Sequence, residues 1–181
     1  MLRSRQALLT AALDELAEVG YAAFAMESVA ARAGVGRSTL YRHWSDRLQL
    51  ISDALETLNI QPAPRERPEG ETARQHVEAL LRHLTEALTS SRVGACLPAL
   101  VHAAEHDQGV REFLHAYSAR RRQSLVTAIA DGIARGELRL GDPDVSADAL
   151  SGAIFYRRLM TGHPVGPDDV PALVDEVLGL P

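Results

Sequence analysis

Apolar residues recur every three or four positions through most of this chain, and turn residues interrupt them at regular intervals. Leu9, Leu13 and Leu16, with Ala12 and Ala17, make one stripe that stops at Gly20, which predicts a helix over about 2–19. Met26, Val29, Ala30 and Ala33 predict a short helix ending at Gly34. A third runs over about 37–44, and Ser45 or Asp46 caps a fourth with Leu48, Ile51, Leu55 and Leu58 along one side. The segment 61–70, QPAPRERPEG, reads as a loop because proline and charge break the period. Beyond it, Val77, Leu80, Leu81, Leu84 and Leu88 mark a helix, and a shorter one spans about 94–106. A long tract from Val110 carries Phe113, Leu114, Tyr117, Leu125, Ile129 and Ile133 and stops at Gly136. Asp142 and Pro143 have the order expected of an N-cap and first helical residue, opening a helix to about Thr161. Pro167 opens a last helix through Leu173, Val174, Val177 and Leu178. Nowhere does an alternating, β-branched run of strand length appear. The pattern predicts an all-α fold of about nine helices, with no repeats.

Charge changes the picture only when it is placed along the chain. The net charge of −5 argues against a nucleic-acid partner, but residues 1–50 hold six Arg and five acids, while 51–181 hold thirteen Arg and nineteen acids. A local basic face, not the total, decides binding to DNA. No apolar run is long enough to span a membrane, and Asp14, Glu15 and Glu18 interrupt the N-terminal apolar run that would otherwise suggest a secretory leader. A cytoplasmic location is expected. The lone Cys96 rules out an intramolecular disulfide and a thiolate zinc cage, and is read as a small core residue in preference to a redox sensor.

The stretch Ala25–Leu50 carries the chemistry. Two short helices flank a Gly34-Val35 turn, and the second bears Arg37, Ser38, Thr39, Tyr41, Arg42 and His43. That is the layout of a helix-turn-helix, whose second helix enters the major groove with its N-terminal residues toward the bases. Arg37 suits a bidentate contact to guanine, and the Thr39 methyl suits a thymine methyl. Tyr41, Arg42, His43 and Arg47 are better placed for phosphates, and the helix N-terminus near Gly36 adds exposed amides that bind phosphate. Leu40 and Trp44, four apart, are assigned to the core. A glycine between two helices with nearby arginines is also common scaffolding, so spacing alone leaves both readings open.

The residues Gly20-Tyr21, VAARAGV over 29–35 and STLYRHW over 38–44, with Arg47 and Leu48, resemble the N-terminal domain of the TetR/AcrR family of transcriptional regulators. Outside these roughly 50 residues only the helical layout matches, with GAIFYRRLMTG over 152–162 resembling the penultimate helix of many members. Three positions depart from the family pattern. Ala25 stands where Ser or Thr usually caps the second helix, and Arg37 and Arg47 stand where Lys is common. The resemblance implies a helix-turn-helix DNA-binding domain over 1–46 and a helical regulatory domain over 47–181 that binds a small molecule and dimerises. It further implies a homodimer on a palindromic operator, repressing until an effector acting through helix four changes the spacing of the recognition helices.

For the effector, the aromatic residues of the second half are the candidates: Phe113, Tyr117, Phe155 and Tyr156, with His102 as polar lining and His83 and His106 after it. Ordinary core packing is the competing reading of the aromatics. His102 and His106 have the i, i+4 spacing of metal ligands, but solvated helix histidines are favoured and no metal or cofactor is expected. Arg120, Arg121 and Arg122 read as a solvated face. Gly152 amid Ala147, Ala149, Ser151 and Ala153 suggests close helix crossing, hence a dimer interface through the last two helices, or else a monomer core. A non-enzymatic regulator is expected. The alternative is an all-α ligand-binding protein or enzyme using the helix-turn-helix only as scaffold, but no nucleophile–base pair or phosphate loop supports it.

Overall fold

The computed structural model describes residues 2–58, 67 and 70–179. Apart from Arg67 and Gly70, the expected 61–70 loop lies outside them. Among the described residues there are nine α-helices and no strand: α1 (Leu2–Ala23), α2 (Met26–Arg32), α3 (Arg37–His43), α4 (Arg47–Leu58), α5 (Ala73–Ser90), α6 (Arg92–Ala104), α7 (Gln108–Ala134), α8 (Pro143–Tyr156) and α9 (Val170–Leu178). A π-turn at Arg157–Thr161 extends α8, and a 3-10 turn at Pro167–Asp169 precedes α9. The predicted stop at Gly20 is a kink at positive φ inside α1 (φ 75°), after which three more residues remain helical.

The helices pack as two units, one of residues 1–60 with 91–116, the other of 61–90 with 117–181. This grouping does not coincide with the division at residue 46, since α4, α6 and the start of α7 pack with α1–α3. The physical reason lies in α1. Leu8, Leu9, Ala11, Ala12, Leu13, Glu15 and Leu16 are all buried, so this helix is covered around most of its girth. Small residues let α6 approach it: the Cys96 thiol donates to the Leu13 carbonyl at 3.1 Å, and Arg92 pairs with Asp14 at 2.7 Å.

In the second unit, α5 contributes Val77, Leu81 and Leu88, α7 Leu125, Val126 and Ile129, α8 Leu150 and Ile154, and α9 Val170 and Val174 to the core. Glu137 ties the unit together, accepting from the Arg67 fork at 2.7 and 2.8 Å and from the first amide of α5 at 2.7 Å. Arg74 pairs with Asp175 of α9. A Cβ on Gly132 would lie 2.6 Å from the side chains of both Ala73 and Leu138, so only a glycine admits this approach. Gly152, expected at a tight crossing, has nothing within 4 Å of a Cβ built on it.

Candidate nucleic-acid interface

The turn between α2 and α3 follows from its sequence. Gly34 takes the left-handed conformation at φ 65°, and the Val35 amide closes the turn on the Ala30 carbonyl at 2.9 Å. Gly36 is extended at the start of α3, with the Thr39 amide donating to its carbonyl at 2.9 Å. From there the side chains divide by face. Leu40 and Trp44 are buried as predicted, while Gly36, Arg37, Ser38, Tyr41, Arg42 and His43 are exposed and Thr39 is half-buried.

Three polar clusters brace the end of α3 and the elements around it. Asp53 of α4 accepts from the Trp44 indole at 2.8 Å, from one Arg5 amino group through both carboxylate oxygens at 2.6 and 2.8 Å, and from Thr57 at 3.2 Å. One carboxylate thereby joins α1, α4 and the end of α3. Arg32 of α2 grips Glu18 at 2.6 and 2.8 Å and the buried Glu15 at 3.2 Å, so α2 is pinned to α1. The Arg32 hydrogen bond holds the Glu18 carboxyl below its ordinary range. At the start of α4, Asp46 accepts the Gln49 amide at 2.9 Å and Gln49 reaches back to the Ser45 amide at 2.7 Å, which makes Asp46 the cap. Hydrogen bonding to the Gln49 amide lowers the Asp46 carboxyl. Ala25 is extended at the start of α2 and offers no side-chain cap.

The arginines of this region differ in availability. Arg37 and Arg42 make no hydrogen bond or ion pair among the described residues, and both are exposed. In the free chain Arg47, expected at a phosphate when DNA is bound, turns toward α1: it donates to the Tyr21 carbonyl at 3.0 Å, and its guanidinium carbon lies 4.1 Å from the centre of the Tyr21 ring. A cation stacked on a ring and bonded to a carbonyl is already partnered, so its role in the free protein is to brace α4 against α1. The Tyr41 hydroxyl donates to Glu27 Oε1 at 3.0 Å. Burial of Leu40 and Trp44 could be inferred from helical period. The Asp53 node and the Glu27–Tyr41 pair could not, because neither spacing announces a contact between separate helices.

The predicted effector residues are divided between the two units. His102 and Phe113 belong to the first unit, and Tyr117, Phe155 and Tyr156 to the second. Tyr117 is buried, with Arg121 stacked 3.5 Å over its ring, and Phe155 is half-buried. Tyr156 is 61% exposed. His102 is exposed and packs edge-on against His106 at 5.2 Å. Among the described residues no group of three or more His, Cys, Asp and Glu side chains comes together for a metal. His83 of α5 was the weaker expectation, yet its Nε2 is buried without a hydrogen-bond partner. Arg122, expected to be solvated, clamps Asp144 at 2.7 Å and Asp148 at 2.6 Å.

Comparison with known proteins covers nearly the whole chain. Residues 8–54 match the family described as bacterial regulatory proteins, tetR family, and residues 67–177 match the tetracyclin repressor-like C-terminal domain. An HTH-type transcriptional regulator of Bacillus subtilis is 34% identical over 173 residues, spanning 94% of this chain and 86% of the relative. A DNA-binding transcriptional repressor TetR of Mycobacteroides abscessus is 29% identical over 175 residues, spanning 95% and 90%. The crystal structure of a TetR-family regulator from Rhodococcus superposes with a TM-score of 0.74 at 25% identity, covering 96% of this chain and 98% of that one.

Proposed function

Because this chain belongs to the TetR family of bacterial DNA-binding transcriptional regulators, we propose that it acts in the cytoplasm as a homodimeric repressor released from a palindromic operator by a small molecule. The observation that carries this reading is the division of α3: Leu40 and Trp44 anchor one side, and Arg37, Ser38 and Arg42 stand uncovered on the other. Arg37 reads a base edge from the leading end of the helix, Thr39 packs on a thymine methyl, and Gly36 lets the backbone close in. Arg42 and His43 meet phosphates. Arg47 positions α4 and reaches phosphate only by leaving Tyr21. The name of the Mycobacteroides relative supports the repressor role.

Two such helices about 34 Å apart would read successive major-groove faces. The dimer face we assign is on α8. Val145, Ala149, Gly152, Tyr156 and Met160 follow one another at intervals of three or four and are all exposed. Gly152 leaves room on that face for a second helix. The exposed positions of α9 include Asp175 and Glu176, so α8 supplies more of the apolar area. For the effector, we place Tyr117, Phe155 and His83 in the second unit, where an unpaired buried imidazole nitrogen offers a polar contact. Such a ligand releases DNA only if it binds the DNA-incompetent form more tightly. The division of labour is then residues 1–46 for DNA and 47–181 for regulation.

The deciding experiment is fluorescence anisotropy on the DNA upstream of the gene and on a random-sequence duplex, with salt varied. A sequence preference with a steep salt slope supports the reading. Arg42→Ala should weaken both duplexes and reduce the slope by about 0.9, while Arg37→Ala should relax preference at one base pair. Binding that ignores sequence, salt and both substitutions would overturn it.

A further inference from the structure

We propose that Glu27 acts as a brake on phosphate binding: it holds the Tyr41 hydroxyl proton and places a carboxylate on the surface that faces DNA. This inference rests on the DNA-binding reading above. Glu27 lies in the first turn of α2 and Tyr41 near the end of α3, and the 3.0 Å hydrogen bond crosses from one helix to the other. The Tyr41 side is 47% exposed, so the bond is made at the surface and not in the core.

The chemistry of the pair fixes the direction of the effect. A phenolic hydroxyl has one proton to donate. While that proton is directed at Glu27, the phenolic oxygen can only accept, and a phosphate diester oxygen has no proton to give. Tyr41 is thus withdrawn from the phosphate donors of this face. The carboxylate also repels any phosphate that approaches, and it sits near Arg37, whose charge helps to hold it ionised. Its own backbone amide and the Tyr41 hydroxyl lower the Glu27 carboxyl first, and the same bond raises the Tyr41 hydroxyl, so both groups keep these protonation states at neutral pH. The effect is on the phosphate backbone, so it is independent of base sequence.

A purely structural role for Glu27 is the competing account, since the α2 start lacks a side-chain cap from Ala25. The test therefore uses the full chain with a double-mutant cycle and a salt titration. Two probes are used: a random-sequence duplex and a duplex selected from a random library by the wild-type protein. Glu27→Gln keeps an acceptor for Tyr41 and removes the charge. It should tighten binding to both duplexes alike and steepen the salt slope by up to about 0.9. Tyr41→Phe should leave affinity unchanged in the wild-type background and weaken it several-fold in a Glu27→Ala background, where the hydroxyl is released to phosphate. Equal losses from Tyr41→Phe in both backgrounds, or an effect of Glu27→Gln on the selected duplex only, would overturn the inference while the regulatory reading stood. Absence of salt-sensitive binding by the wild-type protein to either duplex would take both down.

Discussion

Asp53 shows how much one side chain can organise. Its carboxylate is partner to the buried Trp44 indole, to Arg5 and to Thr57, and these come from α4, from the end of α3 and from α1. Asp53→Ala leaves a buried N–H without an acceptor, which costs about 1–3 kcal/mol. Trp44 is the only tryptophan, so urea denaturation followed by its emission measures both the loss and the change at the node. A destabilisation well under this range would mean that the indole finds another acceptor. Cys96 gives a second test at this scale. Burial raises its thiol from 9.0 to about 12, so the folded protein keeps it protonated. The sign follows from linkage: a raised folded-state value contributes stability in full below pH 9, and this contribution is lost as pH climbs toward about 12. Native protein at pH 8 should resist thiol alkylation, and urea-unfolded protein should react at once.

At the level of the element, α2 is the weakly founded helix of the DNA-binding part. It has seven residues, an extended Ala25 before it and no side-chain cap, so it depends on Arg32 clasping Glu18 and Glu15. Ala25→Ser places a hydroxyl where the backbone already has N-cap geometry and should stabilise the protein by about 1 kcal/mol, read as a higher thermal midpoint. No gain would show that the Glu27 carboxylate already satisfies the first amides of the helix. Helical period located α2 and α3 to within a residue or two, because Gly34 at positive φ ends one apolar stripe and Leu40 and Trp44, four apart, carry the next. The same period could not show that α8 passes into a π-turn at Arg157, since a change in hydrogen-bond register leaves the apolar spacing almost intact.

For the molecule as a whole, the apolar stripe on α8 is the feature with the largest consequence. Tyr156 and Met160 are 61% and 73% exposed, a poor use of large side chains in an isolated chain. Gly152→Glu and Tyr156→Asp should leave the helical signal intact, convert dimer to monomer in analytical ultracentrifugation, and abolish tight operator binding while weak random-sequence binding persists. A dimer that survives both substitutions would move the interface elsewhere. No helix among the described residues is long and apolar enough to cross a membrane, so the exposed stripe is not part of a membrane-spanning helix.

The amino-acid sequence alone determined the all-α class, the helix order, the position of α3 and the division between its buried and exposed sides. These depend on local period, glycine conformation and short-range capping, which act over one or two turns. The tertiary structure decided which charged groups remain free. Arg32 and Arg47 are taken up by α1, Tyr41 by Glu27, and Arg5 by Asp53, while Arg37 and Arg42 stay open. It also decided that Tyr156 and His102 face outward and that Gly152 opens onto empty space. The physical reason is that an ion pair or a buried face requires two elements brought together in space, and the pattern along one helix carries no record of its neighbour.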